Sequence, residues 1–106
     1  MVFFSIFFSL LLAVAGVHAQ DECETQVTNT VVAEIAAMNA FINQTPPPTS
    51  TNETDCHSAA VLQAEITLTG QAVIAQGCED IYNHDIVTNE DFVTGSQFLA
   101  DFLQLC

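Results

Sequence analysis

The chain has 106 residues, with thirteen Asp and Glu and neither Lys nor Arg, so its formal net charge at pH 7 is -13. Contact with nucleic acid or with an anionic membrane surface relies on cationic side chains, and their absence excludes both partners. The same charge favours a cationic protein or peptide, a divalent metal, or solubility through mutual repulsion.

The chain opens with an apolar run, VFFSIFFSLLLAVAGV at residues 2–17, followed by His18 and Ala19. The run is short for a bilayer span, is interrupted by serine, and ends in small residues. It predicts a signal peptide over residues 1–19 and hence a secreted, extracellular protein, although the usual basic residue ahead of the apolar stretch is missing. The alternative is an uncleaved membrane anchor. Cleavage after Ala19 leaves residues 20–106 as a single helical domain, of a size at which an apolar core alone is marginal and covalent cross-links help.

From Asp21 to Asn43, the apolar residues Val27, Val31, Ile35, Met38 and Ile42 recur every three or four positions, which draws one stripe on an α-helix. Asp21, Glu22 and Glu24 at its start suit the positive end of the helix dipole. A second helix is expected from Thr54 or Asp55 as N-cap, with Ala59, Leu62, Ile66 and Val73 on one stripe and Val61, Leu68 and Ala72 beside it. Gly70, with Thr67 and Thr69 just before it, weakens its middle enough for a kink or a short break, and Gly77 is a natural stop. Residues 78–87 fit either a short helix or an ordered connection. Thr88 and Asp91 have capping-box spacing and introduce a third main helix over 89–105, with Phe92, Leu99, Phe102, Leu103 and Cys106 at helical intervals.

Between the first two helices lies a Pro/Thr-rich loop at 44–54, containing three consecutive prolines and flanked by the sequons Asn43-Gln-Thr and Asn52-Glu-Thr. A lone amphipathic helix cannot bury its own stripe, so the loop is internal to one domain rather than a linker between two. Its prolines stop the first helix, and Asn43 and Asn52 are candidate glycan acceptors, although Asn-x-Thr also occurs by chance.

Cys23, Cys56, Cys78 and Cys106 all fall after the apolar leader, and an even count in a small secreted chain points to two disulfides. In an up-down-up arrangement, Cys23 opens the first helix where Cys78 closes the second. Cys56 opens the second helix where Cys106 closes the third. The expected pairs are therefore Cys23 with Cys78 and Cys56 with Cys106. The fold class is all-α: a small disulfide-stapled helical bundle of three main helices with room for a short fourth.

Residues able to do chemistry are sparse. Cys56, His57 and Ser58 are adjacent, but neighbours on a helix point about 100° apart and Cys56 is expected to be oxidised, so His57 reads as a surface residue. His84 and Asp85 with Asp80, Asn89, Glu90 and Asp91 form the densest acidic patch. It lacks the alternating ligands and central glycine of a calcium loop, so it reads as a solvated connection and no metal site is assigned. Glu34 and Glu65 share an Ala-Glu-Ile context one step off the apolar stripes, where a boundary or exposed position is expected. No enzyme activity and no cofactor are expected. The function expected is a secreted binding protein that carries a small apolar ligand in a helical bundle or offers a groove to a partner. The alternative is a glycosylated polyanion that sequesters cationic peptides, proteins or metal ions.

Overall fold

The computed structural model describes residues 20–106, and the leader at 1–19 lies outside them. Among the described residues the chain forms four α-helices: α1 (Gln20–Ile42), α2 (Glu53–Val73), α3 (Glu79–Thr88) and α4 (Glu90–Leu105). α1 packs against the other three. No helix among the described residues is long and apolar enough to cross a membrane.

The helix boundaries follow from local polar chemistry. α2 is capped by Asn52, whose Oδ1 accepts from the backbone N–H of Asp55 at 3.1 Å, so the start lies two or three residues earlier than the expected cap at Thr54 or Asp55. Asp55 instead ties down the proline loop. One carboxylate oxygen accepts from Gln44 Nε2 at 2.9 Å and the other from the backbone N–H of Thr49 at 3.0 Å. Residues 78–87 resolve as helix, with Glu79 and Asp80 in the first turn.

The cap between α3 and α4 is Asn89 rather than Thr88. The Thr88 hydroxyl turns back to donate to the His84 carbonyl at 2.8 Å, which leaves Asn89 Oδ1 to accept from the N–H groups of Asp91 and Phe92. α2 runs straight through Gly70, where a kink was expected. The break falls later, at a wide π-type turn (Ile74–Cys78) in which Gly77 has φ 86° and ψ 15°, a left-handed conformation open mainly to glycine.

The disulfides join Cys23 to Cys78, with Cα atoms 5.4 Å apart, and Cys56 to Cys106, at 5.9 Å. The first ties the start of α1 to the end of the π-type turn, and the second ties the start of α2 to the residue after α4. Between these ends lie two contiguous apolar clusters. The one nearer Cys23 is built on Val27, Val31, Met38, Val73, Tyr82 and Phe92. The other contains Phe41, Ala59, Leu99 and Phe102, with Leu62 and Ile66 bridging the two. Phe41 meets Phe102 edge to face, their ring centroids 5.3 Å apart.

Two details of the expected core differ. Val61 and Leu68 are exposed on the outer face of α2. Of the alanines placed on the stripes of α2, Ala59 is buried and Ala72 half-buried. The interior is filled where glycine admits a large neighbour: a Cβ on Gly95 would stand 3.0 Å from the Met38 thioether.

Candidate functional site

The buried stripe of α1 runs Val27, Val31, Glu34, Met38, Phe41, at intervals of four, three, four and three. Its central position is therefore an acid. Glu34 is 2 % exposed, a correction to the boundary or exposed position expected for it, whereas Glu65 is half-buried. A glutamate at that depth needs partners for both oxygens. They come from two other helices. Thr69 of α2 donates its hydroxyl to Glu34 Oε2 at 2.5 Å, and Tyr82 of α3 brings its phenol to 3.1 Å from Oε1 and 3.2 Å from Oε2.

The approach of Tyr82 explains Gly70. A Cβ there would lie 2.6 Å from the phenol oxygen, so the residue after Thr69 must be glycine for the ring to reach across to Glu34. Gly70 lies inside regular helix, so its value here is space rather than flexibility. Glu34, Thr69, Gly70 and Tyr82 thus form one set drawn from three helices.

All partners of the carboxylate are neutral, and the chain contains no Lys or Arg to offset its charge. Burial pushes the Glu34 carboxyl up to about 7, against the opposing pull of the bonds from Thr69 and Tyr82. Burial, followed by the charge and hydrogen bond of Glu34, raises the Tyr82 phenol above its ordinary value. The site can hold and release a proton near neutrality. At 2 % exposure the carboxyl is closed to molecules arriving from solvent.

A second feature lies on the surface. α1 and α3 border an open groove of about 450 Å³ lined by Glu24, Thr28, Asp80, Ile81, His84 and Asp85. A smaller hollow of about 310 Å³ shares Thr28 and Asp85 with it and adds Val31, Val32, Thr88 and Asn89. Part of the acidic patch read from the sequence therefore lies along this seam, opposite Glu24 of α1. Its remaining members serve α4: Asn89 as cap, and Glu90 and Asp91 in the first turn. Among the described residues no three His, Cys, Asp or Glu side chains converge as a metal-binding group. His57 is exposed, as are Asn43 and Asn52.

Two disulfides, four helices and a buried acid shared among three of them define a small all-α bundle. Comparison with protein-family models, with curated proteins and with solved structures finds no match to this chain.

Proposed function

We propose that the protein is a secreted, glycosylated acidic binding module whose partner is a cationic, amphipathic peptide or protein segment held along the α1–α3 seam. The observation that carries this reading is the groove itself: Glu24, Asp80 and Asp85 line it together with the apolar Ile81, in a chain with no Lys or Arg to neutralise them. An internal apolar ligand has less support, because Met38 fills the space over Gly95 and a polar carboxyl occupies the middle of the bundle.

Secretion rests on the apolar leader and the two disulfides. Glycosylation rests on exposed Asn43 and Asn52. At Asn52 the capping atom is Oδ1, so a sugar on the amide nitrogen is compatible with the cap.

Isothermal titration with a short amphipathic lysine-rich peptide tests the reading. Binding is expected to weaken steeply with added salt and to weaken about tenfold or more in the double variant Asp80→Asn with Asp85→Asn. Salt-insensitive binding, no binding, or a stoichiometric apolar molecule recovered from the purified protein would overturn it.

A further inference from the structure

We propose that the Glu34 carboxyl is a proton-operated latch: when neutral it fastens α3 to α1 and α2, and when ionised it lets α3 loosen. The geometry suits the neutral form. The Thr69 hydroxyl has one proton but two acceptors in reach, Glu34 Oε2 at 2.5 Å and the Ile66 carbonyl at 3.1 Å. With Glu34 protonated, the carboxyl donates to Thr69 Oγ1, Thr69 donates to Ile66, and Tyr82 donates to the other carboxyl oxygen. Three donors then meet three acceptors. Once the proton leaves, a full charge stands at 2 % exposure with only two neutral donors, and water is the remaining source of compensation.

α3 is the helix placed to admit that water. It is the shortest of the four at ten residues, and Tyr82 is its one fully buried residue. It is bounded by the Gly77 kink before it and the single-residue joint at Asn89 after it. The Cys23–Cys78 bridge pins its start, so the movement is a local opening rather than release.

The surroundings supply no Lys or Arg. From α3 the titratable group on Glu34 is Tyr82, while His84 and Asp85 line the outer groove. From α2, Glu65 stands one turn before Thr69 and is half-buried. The π-type turn buries only Cys78, already in a disulfide, and the buried residues of α4, Phe92, Gly95, Leu99 and Phe102, do not ionise. This inference stands apart from the binding reading and is tested on the free protein.

The experiment uses the oxidised, processed chain and its Glu34→Gln variant, whose amide can donate to Thr69 and accept from Tyr82 as the neutral acid does. Urea unfolding is followed from about pH 5 to pH 8, with amide hydrogen exchange corrected for intrinsic rates. Between those limits the wild type should lose on the order of 70-fold in its folding constant relative to Glu34→Gln. Exchange in α3 should quicken at the upper pH by more than that of the core amides of α1 and α2, which follow only the global loss. Parallel pH profiles for the two proteins would overturn the latch, as would equal quickening in all helices. Should the variant fail to fold, NMR titration of the wild-type Glu34 carboxyl carbon decides: a midpoint near 7 supports the latch, and one in the ordinary carboxylate range refutes it.

Discussion

Tyr82 does two things at once: its ring fills the apolar cluster near Cys23, and its hydroxyl supplies one of the two side-chain donors that reach Glu34. Replacing it with Phe keeps the ring and removes the donor, so the cost should depend on the state of the acid. A bond to a neutral group contributes about 1 kcal/mol and one to a charged group about 1.5–3 kcal/mol. Because the folded Glu34 has a raised pKa, the native state holds an extra proton between roughly the unfolded value of 4.5 and about 7. Its stabilising contribution is complete below that window and is lost as pH rises through it, about 3 kcal/mol in all. Tyr82→Phe should therefore cost more at pH 8 than at pH 5, as read from urea midpoints at the two pH values. Gly70→Ala makes a second prediction at this scale. In an open helix the change would stabilise by up to ~1 kcal/mol. Here the added methyl meets the phenol oxygen at 2.6 Å, and a net loss of about 1–3 kcal/mol is expected in the same urea assay.

Among the elements, the α3–α4 junction depends most on one side chain. Asn89 ends α3 by giving its backbone N–H to the Asp85 carbonyl at 2.9 Å and starts α4 by accepting two N–H bonds at its side chain. Asn89→Ala should cost about 1 kcal/mol, whereas Asn89→Asp keeps an accepting oxygen and should cost less; thermal melts of the two variants would separate them. The spacing read from apolar residues placed Ile35 on the core stripe, and it does pack half-buried against the cluster near Cys23, but the fully buried positions pass through Glu34. A stripe drawn from hydrophobic letters alone skips an acid. The available signal was its position three residues after Val31 and four before Met38, together with Thr69 and Gly70 in a segment otherwise rich in good helix formers. That glycine was legible as a weakness in α2 but not as room for a ring, since the ring comes from a helix later in the chain.

For the whole molecule, the two bridges clamp opposite ends of a bundle assembled from only 87 described residues. Each spans 50 or 55 positions of sequence. Removing Cys56–Cys106 by paired Ser substitution is expected to cost about 2–5 kcal/mol and to lower the melting temperature by roughly 10–30 °C, measured by circular dichroism. The charge acts at this scale too. Thirteen carboxylates without a cation repel one another in the compact state, so added salt should raise the melting temperature at pH 8.

Composition and periodicity were enough to read an all-α chain of three long helices and to propose which cysteines meet, because those properties depend on local spacing. Helix caps were legible only to within a few residues, since Thr88, Asn89, Asn52 and Asp55 all carry suitable oxygens and competing bonds choose among them. The tertiary structure alone decided that Glu34 lies inside, that hydroxyls from residues 35 and 48 positions away satisfy it, and that the acidic residues of α3 face Glu24 across a groove. The physical reason is that burial of an acid depends on what other helices bring to it, and no window along one helix contains that information.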